Sequence, residues 1–172
     1  MLRFIRFLIL SLIVLFLVMT GLSLLFPSST RVMRVITIAA SRGKAMSTVS
    51  DLRTWPRWNG FVQSPDLTNK RWSTPSAGKN AWMRTDQLTV TETAADSNSI
   101  AVNWDLRGGK QYAGGFQIDQ SFPDSVTVQW WFDLHFRWYP WEKLGLFVYD
   151  RRFGHVMEES LRGLKRDVEN SR

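Results

Sequence analysis

The sequence predicts an α+β fold. A curved antiparallel sheet wraps around a long C-terminal helix, and one transmembrane helix precedes it. Three observations carry this. The chain opens with a charge-free apolar run of twenty residues, Phe7 to Phe26. Alternation of period two dominates from about residue 61 to 137. A helical period replaces it near the C-terminus.

The first run has the length of a membrane span: twenty residues at helical rise cover about 30 Å, the thickness of the hydrocarbon layer. It is apolar on every face, and Pro27 ends it. A cleaved signal peptide is the competing reading, since Arg3 and Arg6 supply a basic start. The run is long for that, however, and no small-x-small pattern follows it. The expectation is an uncleaved anchor over residues 5–26, in contact with the lipid bilayer. Residues 1–30 then form anchor and linker, and 31–172 form the domain. Flanking charge is nearly balanced, with Arg3 and Arg6 before the run and Arg31, Arg34, Arg42 and Lys44 after it. The signal-like start favours a single-pass protein of the cell membrane, with its domain on the extracytoplasmic (periplasmic) side.

Arg31–Ala39 is β-branched and reads as a first strand. Ala45, Met46, Val49 and Leu52 then fall at helical spacing, with Ser41 as N-cap. Pro56 disfavours helix at Trp55 and ends this segment. From there the chain reads as strands, broken at Ser64-Pro65-Asp66, Pro75-Ser76-Ala77-Gly78, Ala95-Asp96-Ser97-Asn98, Gly108-Gly109 and Pro123-Asp124-Ser125. A strand is expected over Lys79–Leu88. Ile100, Val102, Trp104 and Leu106 give one clean alternation; Val126, Val128, Trp130, Phe132, Leu134 and Phe136 give another. Gly114-Gly115 reads as a bulge. Phe153, Val156, Met157, Leu161, Leu164 and Val168 form one stripe of the last helix, with Asp150 as cap and Glu158–Arg162 as an i,i+4 pair.

Composition narrows the chemistry. The 172 residues include no cysteine, which removes disulfides, thiolate metal sites and thiol nucleophiles. The two histidines, His135 and His155, fall on polar faces. Net charge is +7, but six of the 22 basic residues lie in the first 50 positions, where there is no acid. The remainder is nearly neutral, which argues against nucleic acid as a partner. Nine tryptophans and eleven phenylalanines point to packed aromatic surface.

Three stretches resemble the helix-grip superfamily that includes START domains, birch-pollen-allergen-like proteins and bacterial polyketide cyclases (SRPBCC). They are Asp51-Leu52-Arg53-Thr54-Trp55-Pro56-Arg57-Trp58, Thr127-Val128-Gln129-Trp130 and Glu159-Ser160-Leu161-Arg162-Gly163-Leu164-Lys165. The resemblance spans about residues 31–170. It implies a cavity between sheet and C-terminal helix that holds a small apolar or lipid-like ligand. The candidate lining is Trp104, Phe116, Trp130 and Phe132 from strands, Met157 and Leu161 from the helix, and Trp58 at one rim. Trp82 joins them if its strand turns that face inward, and Arg84 shares its parity. Core filling is the alternative role for each. No catalytic constellation, metal set or cofactor motif stands out. Glu158-Glu159 are adjacent on a helix and do not converge. Three functional classes stay open: a membrane-tethered binder, a cyclase- or dehydratase-type enzyme, and an envelope interaction module. The last would expose Trp72, Trp131 and Trp138. The aromatic stretch Pro140–Tyr149 either packs over the cavity or meets the membrane surface.

Overall fold

The computed structural model describes residues 2–24, 28–136 and 146–170. Helix α1 (Leu2–Leu24) contains one stretch, Arg3–Ser23, long and apolar enough to cross a membrane. The domain follows as β1 (Ser29–Ile38), α2 (Arg42–Ser50), α3 (Trp55–Trp58), α4 (Gly60–Gln63), β2 (Arg71–Trp72), β3 (Trp82–Arg84), β4 (Leu88–Ala95), β5 (Ser99–Leu106), β6 (Lys110–Phe122), β7 (Ser125–His135) and α5 (Leu146–Asn170). The seven strands form one curved antiparallel sheet in the order β1-β7-β6-β5-β4-β3-β2. This is the α+β architecture that the alternation and the terminal helix predict.

The alternating residues choose the buried face. Ile100, Val102 and Trp104 on β5 and Val126, Val128, Trp130, Phe132 and Leu134 on β7 are all buried. Met157, Leu161, Leu164 and Val168 of α5 are buried against the rest of the core. The expected turns hold: the β5–β6 turn uses Gly108 and Gly109 at φ of +105° and +81°, which glycine adopts without strain. Ser41 caps α2, its Oγ accepting from the Lys44 amide at 3.4 Å.

Several expectations are corrected. The chain after Trp58 is helical rather than extended, because the Asn59 carboxamide oxygen accepts from the Phe61 amide at 3.1 Å and starts α4. The strand expected over Lys79–Leu88 is interrupted: the Thr85 hydroxyl accepts from the Leu88 amide at 2.9 Å and turns the chain. Asp150 does not cap α5, which already runs from Leu146. Glu158 is engaged by Arg34 of β1 at 2.8 Å rather than by Arg162. Gly114 and Gly115 are not a bulge. They pair in regular register with Phe132 and Trp131. A Cβ on Gly115 would lie 2.3 Å from the Ile100 carbonyl and 2.7 Å from the Trp131 ring, so glycine here lets an aromatic lie flat on the outer face. Trp138 and residues 140–145 of the aromatic stretch lie outside the described residues.

One inward position on β4 is acidic. Glu92 is fully buried, and its Oε2 accepts from the Gly78 amide at 2.9 Å while Oε1 has no partner among the described residues. Burial pushes this carboxyl above the usual range, against the opposing pull of the Gly78 amide.

Two predictions follow from this packing. Gly115→Ala should lose about 1–3 kcal/mol by overpacking. Gly43→Ala, where a Cβ meets nothing within 4 Å, should gain up to about 1 kcal/mol; urea melts compare them. The raised Glu92 carboxyl binds its proton more tightly folded than unfolded, so its ionisation erodes stability as pH rises above the ordinary glutamate value of about 4.3. The stability difference between Glu92→Gln and the parent should therefore move in the variant's favour from pH 4 to pH 7; a constant difference contradicts the raised carboxyl.

Candidate functional site: an aromatic core with an open end

The Trp55-Pro56-Arg57-Trp58 turn inserts between sheet and helix. Pro56 is tolerated because it sits in the first turn of α3, where no intrahelical donor is lost. Both indoles are buried and satisfied: Trp55 Nε1 donates to the Val49 carbonyl at 2.8 Å, and Trp58 Nε1 to the Thr54 hydroxyl at 3.2 Å. Trp58 is 1% exposed and also borders the groove that runs along α5. α5 comes close at this point: a Cβ on Gly163 would lie 2.9 Å from the Trp58 carbonyl. Gly60 faces the same helix, its amide donating to Ser160 Oγ at 2.8 Å.

Around these two indoles the rings interlock. Trp55 meets Trp104 at 5.5 Å and Phe116 at 5.7 Å between centroids. Phe116 stacks on Trp130 at 4.9 Å. Phe61 of α4 touches Trp104, Trp130, Phe132 and Phe153 at 5.5–5.9 Å. Edge and tilted contacts of this kind add about 0.5–1.5 kcal/mol per pair beyond burial. The middle of the domain is thus filled.

The open space lies at one end. A cleft of about 370 Å³ is bounded by Phe61, Leu67, Leu88, Trp104, Leu106, Tyr112, Phe132 and Phe153, with Ser64, Asp66 and Gln87 also on its walls. That volume falls within the range of small-molecule sites, about 300–1,000 Å³. The Trp104 indole N–H is buried and has no hydrogen-bond partner among the described residues. A buried amide-like donor left unpaired costs about 1–3 kcal/mol. The cleft wall itself is mainly apolar, with Ser64, Asp66 and Gln87 as its polar side chains. A wider groove of about 630 Å³ runs between α3–α4 and α5, but charged side chains line it, including Arg57, Glu159, Arg162, Lys165 and Arg166. Its chemistry is that of a solvated surface.

The residues expected to line a cavity divide accordingly. Trp104 and Phe132 border the cleft. Trp58, Phe116, Trp130, Met157 and Leu161 are buried in the core beside it. Trp82 lies apart: Met83 takes the buried face of β3, and Trp82 sits on the opposite face with the Arg84 guanidinium 5.1 Å over its ring. Phe61, Leu67, Leu88, Tyr112 and Phe153 were missed. Phe153 was legible as the first residue of the helix stripe. Phe61 was not, since its position depends on the Asn59 cap. His135 and His155 are exposed. Trp72 is half-buried, its Nε1 donating to the Leu52 carbonyl at 3.0 Å. Trp131 is half-buried too, with Arg31 5.5 Å over its ring. Among the described His, Asp and Glu side chains, no group of three could hold a metal ion.

This sheet, gripping one long helix over an aromatic core, defines the helix-grip class. Residues 29–169 match the family described as polyketide cyclase / dehydrase and lipid transport, and the chain belongs to that family. Among solved structures it is similar to truncated norcoclaurine synthase from Thalictrum flavum, with a TM-score of 0.62 at 9% identity over 84% of this chain and 96% of that one. A START superfamily protein from Mycobacterium smegmatis gives 0.56 at 20% identity over 81% and 97%. CalU16 from Micromonospora echinospora gives 0.57 at 9% identity over 82% and 66%. These likenesses concern the fold. No curated protein matches the chain in sequence.

Core and outer face separate in one experiment. Trp130→Ala, which removes a ring with no exposed surface, should lose about 3–5 kcal/mol. Trp131→Ala on the outer face should lose well under that, measured by chemical denaturation.

Proposed function

We propose that this chain is a membrane-anchored binding protein for one small apolar or lipid-like molecule. In this reading α1 spans the bilayer, anchor and linker end near residue 30, and the domain stands on the extracytoplasmic side. The charge-free run supports the span, and the signal-like start supports the side. The ligand occupies the end cleft, its apolar body against Phe61, Leu88, Phe132 and Phe153. The observation that carries the reading is the apolar wall of this cleft, built from the rings of Phe61, Trp104, Tyr112, Phe132 and Phe153. Ser64, Asp66 and Gln87 on the same walls would orient a polar group of the molecule. Membership of a family described by polyketide and lipid chemistry supports the same class of ligand.

The test is displacement of a dansyl-labelled fatty acid from the detergent-solubilised chain. Saturable binding is expected. Leu106→Asp places a charge on the cleft wall at a position already 38% exposed. It should weaken the probe about tenfold, about 1.4 kcal/mol, with chemical denaturation showing the fold intact. No saturable binding across a panel of fatty acids and flat aromatic compounds would overturn the reading.

A further inference from the structure

We propose that the cleft opens toward the bilayer that holds α1, and that its ligand enters from that bilayer rather than from water. The proposal rests on the reading of α1 as a span and of the cleft as a binding site. It adds the source of the ligand and the surface on which the domain stands.

Register locates the cleft. The Phe136 amide donates to the Ser28 carbonyl at 2.8 Å, so the entry to β1 lies beside the exit of β7. Thr30 pairs with Leu134, and Ala113 with Asp133, which sets Tyr112 level with Leu134. Trp104 pairs with Tyr112, Leu106 with Lys110, and Leu88 with Leu106. The start of β1 and the strand residues that wall the cleft therefore share one end of the sheet. The opposite end holds the pairs Ile38–Val126 and Phe122–Ser125. The ten residues of β1 set the two ends about 30 Å apart.

Covalent reach decides which end meets the membrane. Three residues separate Leu24 from Ser28. Even fully extended, those four steps reach about 14 Å. The cleft end is thus held near the last turn of α1, and the far turns lie beyond that reach. The surface of the β5–β6 turn agrees with this placement: it carries exposed Arg107 and Lys110, with Leu106 38% exposed beside them. Asp86 of the neighbouring turn lies in the field of Arg107 and Arg71. The far turns carry exposed Asp96 and Asp124, and basic side chains reach that end from Arg42 of α2 and from Lys165, which bonds Thr37. A basic turn with an exposed apolar side chain suits an anionic bilayer surface. Phe122, 72% exposed at the far turn, marks the rival pole. An apolar molecule passing from lipid to a cleft pressed on the surface exposes little apolar area to water on the way.

The chain has no cysteine, so single labels are clean. Lys110→Cys and Asp124→Cys, each carrying the same fluorophore, are reconstituted as full chains in phosphatidylcholine–phosphatidylglycerol vesicles with a headgroup-attached quencher. Several-fold stronger quenching at 110 than at 124 is expected. Equal quenching, or stronger quenching at 124, overturns the proposal. A second variant inserts about twenty Gly/Ser residues between Ser28 and Ser29, adding a mean span of about 25 Å. The quenching contrast should collapse. Loading of a dansyl-labelled fatty acid from the same vesicles should slow several-fold, with affinity in detergent unchanged. Unchanged loading rates overturn the bilayer route. If the detergent-solubilised parent binds no probe, the binding reading fails and the loading route with it. The quenching pair still decides which end faces the bilayer.

Discussion

Two indoles, Trp55 and Trp58, hold the space between sheet and helix. A curved sheet and one helix cannot close on each other by themselves, since curvature leaves a volume that the stripe of α5 does not reach. Here the volume is filled by a short turn of chain rather than by larger residues on the strands. Trp55 reaches the sheet at Trp104 and Phe116, and Trp58 reaches Phe116 and Trp130. Each indole N–H finds its acceptor locally, in Val49 and Thr54, so burial carries no unpaired donor. The helix side answers with small residues, Gly163 against the Trp58 backbone and Ser160 against Gly60. Close approach there packs the helix directly on the turn, and among the described residues the apolar cleft lies where Phe61 and Phe153 meet the end of the sheet.

The sheet, the C-terminal helix and most turns were legible because their patterns are local. Alternation on β5 and β7 names the buried face without knowledge of the partner strand. The stripe from Phe153 to Val168 does the same for α5. What could not be read depends on contacts between distant segments. Nothing in the sequence states how deeply the turn that carries Trp58 inserts between sheet and helix. Gly114 and Gly115 looked like a bulge because their need is set by Phe132 and Trp131 across the ladder. The cleft was only half legible for the same reason. Trp104 and Phe132 lie on the two clearest strands, whereas Phe61 enters through a capped turn. Trp82 shows the limit of parity: the break at Thr85 cuts its strand to three residues, too few to reveal which face is buried.

Trp104, on the cleft wall, keeps an unpaired donor. Glu92, two pairs further along β4, keeps an unpaired acceptor and a carboxyl that burial holds toward its neutral form. Both defects face inward on the β4–β5 side of the sheet, which α5 covers least. On the β1 side the outer ion pairs are made, with Arg34 bonding Glu158 and Arg31 forking onto Asp133 at 2.7 and 2.9 Å, while the buried Trp130 indole N–H of β7 has no partner among the described residues. Exposed pairs of this kind contribute little stability, about 0–1 kcal/mol, but they fix the register of β1 against β7 and α5.

The helix itself is unevenly held. Toward its C-terminus, Leu161, Leu164 and Val168 are fully buried, and two contacts tie it to the end of β1: Lys165 Nζ donates to the Thr37 carbonyl at 3.0 Å, and the Ala39 amide to Glu169 Oε1 at 2.9 Å. Toward the cleft, Phe153 and Val156 are only half-buried, and Arg34 crosses in front of Gly154, where a Cβ would lie 2.0 Å from its guanidinium. Opening free energy follows buried apolar contact, so Met157, Leu161, Leu164 and Val168 anchor the described part of α5. Phe153, half-buried among Phe61, Tyr112 and Phe132, is what the helix contributes to the cleft wall.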